Sequence, residues 1–245
     1  KKKKKYFGQI LIISALLLFQ SCHIQIENNR RITISGTVVD SQGSPISNIS
    51  IRSEVFGEVI GASVSDENGK FEFVSLEAQS SKGLDILVNV KPSSYEYDDY
   101  YYGFDNDYGT GLPENDEYSG KRYFNPSSNR EESSYNLGRI QLNEIATLSL
   151  FLNNLPGDEN VVSYYLEYTN DVCKIDVNLE SSPDECVITQ GDYITVLDPE
   201  SQNTQVNLQS QLGTSVFFKY QLNNQPEQTI SIPLTNSENS YVFEY

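Results

Sequence analysis

From Arg31 onward the chain is built of short runs in which apolar and polar residues alternate, each run ending in Gly, Pro, Asn, Asp or Ser. A strand turns successive side chains to opposite faces, so such a run suits a sheet with one buried face. It does not suit a helix, whose apolar stripe recurs every three to four residues. Ile32-Thr33-Ile34-Ser35-Gly36-Thr37-Val38-Val39-Asp40 is the first strand pattern, and Ser41-Gln42-Gly43-Ser44-Pro45 the first turn. Alternation resumes at Ile46 with Ile49 and Ile51 on one face, and residues 54–64 read as one or two strands interrupted at Gly57 and Gly61. Asp66-Glu67-Asn68-Gly69 is a tight turn, because Asn-Gly accepts positive φ. Phe71 and Phe73 then share a face, and 84–90 reads as a further strand. After Glu144 the pattern restarts with Ala146, Leu148, Leu150 and Leu152, followed by runs at 161–168, 173–179, 187–196, 206–208, 216–222, 229–234 and 241–245. No segment beyond residue 22 holds a helical period over ten residues. The expected fold is all-β, with two antiparallel β-sandwich domains spanning 32–144 and 145–245. They meet near Glu144 with almost no linker, either end to end or as one larger sheet system.

The first residues read differently. Lys1 to Lys5 form a positive block, and an apolar stretch from Tyr6 to Phe19 follows. That stretch is shorter than the roughly 20 residues a spanning helix needs, and its order is that of a secretory leader. It ends at Phe19-Gln20-Ser21-Cys22, which resembles the lipobox of bacterial lipoproteins. The resemblance implies a leader over 1–21, cleavage before Cys22, acylation at that cysteine and a tether over 22–31. Two or more acyl chains hold a protein stably on a bilayer, so the expected location is the outer membrane, lipid-anchored, with either face open. Cleavage removes five lysines and no acids from a chain that already has 17 Lys+Arg against 34 Asp+Glu. A body this acidic has no clustered cations for phosphate, which excludes nucleic acid as a partner.

Three segments together resemble a second family. Gly36-Thr37-Val38-Val39-Asp40, Gly43-Ser44-Pro45-Ile46 and Asp66-Glu67-Asn68-Gly69-Lys70-Phe71-Glu72-Phe73 are similar to the carboxypeptidase regulatory-like domain, and Asn136-Leu137-Gly138-Arg139-Ile140-Gln141-Leu142 resembles its closing strand. The resemblance frames residues 32–144 and implies a seven-stranded, transthyretin-like sandwich, common in envelope proteins of the Bacteroidota. The motif's glycines and aspartates build turns, so no catalytic residue comes with it.

The single histidine, His23, and three cysteines leave little His-based catalytic or zinc chemistry. No catalytic set is expected. A hydrolase working through paired carboxylates is the weaker alternative, since 34 acids make chance pairs plentiful. With Cys22 lipidated, Cys173 and Cys186 remain as a pair flanking a hairpin-like excursion that turns at Ser181-Ser182-Pro183-Asp184. An exported compartment favours a disulfide there, worth about 3 kcal/mol in the chain-entropy view. Two buried thiols are the alternative.

An insertion over 92–134 departs from the family. Tyr97, Tyr100, Tyr101, Tyr102, Phe104 and Tyr108 are interleaved with acids, including Asp105 and Asp107. Tyrosines offer large amphipathic contact area at low entropic cost, which suits a glycan, peptide or envelope-protein partner. Asp105 and Asp107 beside Gly109 are weak calcium candidates, since they lack a bidentate Glu in the loop pattern. The plain alternative is a solvated loop that covers a sandwich edge. The function expected from these features is a non-enzymatic, membrane-anchored binding or scaffold module of the bacterial cell envelope, with a calcium- or glycan-binding adhesin-like module as the alternative. No cofactor is expected beyond calcium.

Overall fold

The computed structural model describes residues 26–55, 57–78, 83–90, 115–126, 130, 133–155, 157, 159–177 and 185–245. These residues contain no helix and fourteen strands. The first seven are β1 (Ile26–Val39), β2 (Ser50–Val55), β3 (Glu58–Val64), β4 (Lys70–Ala78), β5 (Leu84–Val88), β6 (Gly120–Asn125) and β7 (Ser134–Gln141). The second seven are β8 (Ile145–Asn153), β9 (Val162–Asp176), β10 (Glu185–Leu197), β11 (Thr204–Gln211), β12 (Ser215–Leu222), β13 (Gln228–Pro233) and β14 (Glu238–Glu244).

Alternation places the cores. In β8, Ala146, Leu148, Leu150 and Leu152 point inward and are fully buried, while the residues between them are half-buried. Around them Val162, Tyr164, Leu166, Val216, Phe218 and Ile232 close one apolar cluster between two sheets. The first set makes its own cluster from Ile32, Ile34 and Val38 of β1 against Ile51, Val55, Ile86 and Val88 of β2 and β5. Gly36 sits opposite Phe71 in the β1–β4 ladder, and a Cβ there would lie 2.8 Å from the Phe71 ring. The ring therefore needs this glycine in order to enter the core. Gly69, at φ +71°, closes the Asp66 turn, where any Cβ would strike the Val38 carbonyl oxygen at 2.2 Å.

The two sets share one topology. In the first, β1 pairs antiparallel with β4 and parallel with β7, β2 pairs antiparallel with β3 and β5, and β5 with β6. In the second, β8 pairs antiparallel with β11 and parallel with β14, β9 antiparallel with β10 and β12, and β12 with β13. Each set is thus a three-stranded sheet packed on a four-stranded one, in the same strand order. The correspondence reaches single residues. Asn89, at φ +54° after the fifth strand, donates its backbone N–H to Ser50 O at the start of the second strand; Asn223, at φ +48°, does the same to Val161 O. Asn48 and Glu159, two residues before those acceptors, are both at positive φ.

An eleventh ladder joins the sets. Residues 172–176 of β9 pair parallel with residues 120–124 of β6. At Lys174 the strand pairs with Glu185 of β10 on one edge and Arg122 of β6 on the other, and at Leu166 with Gln190 of β10 and Phe218 of β12. β12 and β6 therefore succeed one another along the same edge of β9, and a single eight-stranded sheet runs through both sets. Of the two arrangements open in the sequence, the shared sheet is the one observed. Pairing is antiparallel in eight ladders among the described residues and parallel in three, because the first and last strands of each set run side by side in one direction and β6 joins β9 the same way.

Two other differences from the sequence reading matter. The insertion read as 92–134 contains β6, so the loop after β5 closes by Ser119. Lys121 and Arg122 had hidden a strand whose apolar contribution to the core is Tyr123. The run 161–168 and residues 173–176 of the run 173–179 merge into β9, whose polar break at Thr169–Asp171 is a bulge rather than a loop: five steps on β9, from Thr169 to Lys174, face two on β10, from Val187 to Glu185.

Candidate functional site

The sequence's binding candidates lie between Val90 and Asn115, and the residues flanking that segment can be built atom by atom. Asn89 is buried, and its side-chain amide donates to the carbonyls of Asn115 (2.9 Å), Tyr118 (2.8 Å) and Ser119 (3.2 Å), while its Oδ1 accepts from Asn115 N (2.8 Å). One amide thus holds both ends of the loop. Its left-handed backbone aims the side chain across the gap, a conformation asparagine tolerates better than most residues. Gly120 follows because a Cβ there would meet the Asn89 carbonyl oxygen at 2.7 Å.

The returning segment is tied to the connection between the two sets. Ser119 N donates to Asn143 O (2.8 Å), Asn143 N to Ser119 Oγ (3.0 Å) and Ile145 N to Glu117 O (2.8 Å). Asn143 Nδ2 continues to Gln211 Oε1 (2.6 Å), and Gln211 Nε2 donates to Asn170 O (2.7 Å) and Cys173 Sγ (3.3 Å). The stem, the connection and the β9 bulge form a single polar network in which Ser119, Gln211 and Cys173 are buried.

Beside the stem, the outer face of the four-stranded sheet carries charge. Arg52 and Glu54 of β2 form an ion pair, and Arg122 of β6 grips Asp85 of β5 through two hydrogen bonds of 2.7 and 3.2 Å while lying 5.3 Å from the Phe124 ring centre. Arg52 also donates to the carbonyl of Val90, the last described residue before the loop. This face points away from the core, yet Arg52 is only 2% exposed and Leu87 is fully buried. Burial pushes the Glu54 carboxyl up from its ordinary value of 4.5, against the pull of Arg52. Asp40 is shifted the other way: backbone N–H groups, Ser44 foremost, hold it below 3.8.

The sequence-predicted site residues divide cleanly. Cys173 and Cys186 form the disulfide, with Cα atoms 4.6 Å apart. Cys22 lies outside the described residues, as do Tyr97, Tyr100, Tyr101, Tyr102, Phe104, Tyr108, Asp105 and Asp107. Asn89, Asn143 and Gln211 were missed. The only sequence signal for them was a polar residue at the end of a strand pattern, a position shared by many turn-forming asparagines. Among the described residues no three His, Cys, Asp or Glu side chains are grouped to hold a metal ion. A shallow groove on the outer face of the three-stranded sheet is lined by Ser35, Thr37, Lys70, Glu72 and Asn136, with no exposed aromatic ring for a ligand to stack on.

No family model matches the chain, and no curated protein matches it. Among solved structures it is similar to the TIE protein of Bacillus anthracis (9% identity, 87% of this chain and 34% of that one, TM-score 0.28). A cell adhesion protein from Bacteroides ovatus, so described only provisionally, gives 13% identity over 89% of this chain and 93% of that one at TM-score 0.27. The tip fimbrial protein Mfa3 of Porphyromonas gingivalis gives 10%, 82%, 81% and 0.28 in the same order. The chain spans about a third of the TIE protein and 20% of a Cyanothece lipoxygenase that also matches. At TM-scores this low, these likenesses establish neither fold nor activity for this chain.

Proposed function

We propose that the chain is a non-enzymatic binding module of a bacterial cell envelope, lipid-anchored at Cys22, in which two fused sandwiches carry the Tyr- and Asp-rich segment between Val90 and Asn115. The observation that carries this reading is the stem: both ends of the loop are held by Asn89 and are hydrogen-bonded into the connection between the strand sets. Scaffolds that fix a loop at its base while leaving its length variable are the usual architecture for recognition. The seven strands between Ile26 and Gln141 support the carboxypeptidase regulatory-like reading of the first set, and the lipobox-like Ser21-Cys22 supports the anchor. Tyr97, Tyr100, Tyr101, Tyr102, Phe104 and Tyr108 supply the contact surface for a glycan or an envelope protein. Calcium at Asp105 and Asp107 is a subsidiary proposal.

The test replaces residues 91–114 with a short Gly-Ser turn and probes the full chain and the variant against glycan and envelope-peptide arrays. Binding by the full chain that vanishes in an equally stable variant supports the reading. Equal behaviour of the two in the array and in the cell makes the protein a spacer instead. Separately, Cys22→Ser is expected to move the protein from the membrane to the soluble fraction.

A further inference from the structure

We propose that the Cys173–Cys186 disulfide is a lock on the joint between the two strand sets, not a staple of the second set's core. The argument starts from where the cysteines fall. Cys173 is buried but belongs to neither apolar cluster; it lies on the part of β9 that pairs with β6, opposite Lys121. Both cysteines fall inside the stretch where the β9–β10 ladder fails, the bulge between Thr169 and Lys174 on β9 and between Glu185 and Val187 on β10. A bulge leaves backbone groups without ladder partners, and buried groups of this kind must be satisfied elsewhere. Here the Thr169 carbonyl is taken by Ser210 Oγ (2.7 Å) and the Asn170 carbonyl by Gln211 Nε2 (2.7 Å).

The bulge releases β9 from the register of the second set and lets it run on to β6 of the first. Beyond it, among the described residues, the β9–β10 ladder has the single pair Lys174 with Glu185. The disulfide is a covalent tie at the place where hydrogen-bonded pairing is thinnest, binding the beginning of β10 to the extension of β9. Gln211 connects this tie to the rest of the joint, with one nitrogen on Cys173 Sγ and its oxygen taking the amide of Asn143. With the bond broken, the 172–176 extension keeps, among the described residues, five pairs to β6, one pair to β10, the Val172 N–H on Asn170 Oδ1 and the Gln211 bridge, whereas the cluster around Leu150 and Phe218 loses no neighbour.

Amide hydrogen exchange on the full chain, oxidised and then reduced by a dithiol under native conditions, tests this. Each sulfur takes up one electron and one proton from the dithiol, which is itself oxidised to a cyclic disulfide. The lock predicts exchange at least tenfold faster in 120–124 and 172–177, with 146–152 and 216–221 unchanged, and a broader spread of distances between spin labels placed one in each set. Faster exchange throughout the second set, with β8 and β12 included, makes the bond a core staple and overturns the proposal. So does unchanged exchange at the joint. Gln211→Leu with the disulfide intact serves as a second route that needs no cysteine change: it is expected to loosen the same amides to a smaller degree.

Discussion

The two seven-stranded sets follow the same strand order with the same ladders, yet they use the outer face of the four-stranded sheet in opposite ways. In the first set this face is charged and buried: Arg52 and Glu54 on β2, Asp85 and Leu87 on β5. In the second set the ladder-equivalent positions are Ser163, Tyr165, Lys219 and Gln221, all at least partly open to solvent. There Lys219 meets Glu167 at 2.6 Å and lies 5.4 Å from the Tyr165 ring centre, a surface arrangement tolerant of change. The lesson is that the inner alternation fixes the fold, because its side chains meet across the core, while the outer face is free to take on whatever its surroundings require. Among the described residues, buried charge outside the core is found in the set with the long fifth-to-sixth connection.

The strongest way to break this comparison is to remove the buried cation. Arg52→Ala strands Glu54 in a site of low polarity and is expected to cost about 3–5 kcal/mol. Ser163→Ala, at the matching position, should stay within about 0.5 kcal/mol. Urea unfolding of both variants gives the difference directly, and similar losses in the two would mean that the faces are not distinct.

A smaller effect is expected at the paired asparagines. Asn89→Ala leaves carbonyls of the loop stem without donors and puts alanine at positive φ, for about 2–4 kcal/mol. Asn223 is exposed, and its amide bonds Asn160 and the Val161 N–H. Asn223→Ala should cost about 1 kcal/mol. Thermal melts rank the two, and the exchange rate of the Ser119 amide reports whether the stem has opened.

The smallest signal is in the pH dependence. Because burial raises the Glu54 value in the folded protein, the folded state holds that proton to higher pH than the unfolded chain does. Stability from this group therefore falls as pH rises from about its ordinary 4.5 to its raised folded value, and is flat above that. Asp40 works in the opposite sense: its lowered value adds stability above 3.8 that is lost as pH falls through the folded value. Urea midpoints between pH 3 and pH 7 should show the Glu54 slope disappear in Glu54→Gln and the acid-limb contribution disappear in Asp40→Asn.

Much of the architecture was legible because it depends on local rules. Alternation located most strands, the Asp66–Gly69 turn followed from the conformational needs of Asn-Gly, and the two cysteines pair across the hairpin formed by β9 and β10. What could not be read depends on contacts distant in sequence. β6 has two cations in six residues and becomes a strand because β5 and β9 offer it an edge on each side. The repeated topology was hidden since equivalent residues such as Glu54 and Tyr165, or Asp85 and Lys219, share position but not chemistry. The sixth strands also end differently: β6 is continued by β9, whereas Leu234 bonds inward to Thr214, which turns Pro233 and its missing N–H to the outer edge of β13 and blunts that edge.

The parallel pairing of first and last strands has a mechanical consequence. In each set the chain enters along β1 or β8 and leaves along β7 or β14, with the two strands side by side and pointing the same way. A pull on the two ends of either set drags these strands in opposite directions along their length. The load is then shared by the whole ladder in shear and does not peel the bonds apart one after another. A body tethered at one end and gripped at the other would resist such traction with all of those hydrogen bonds at once.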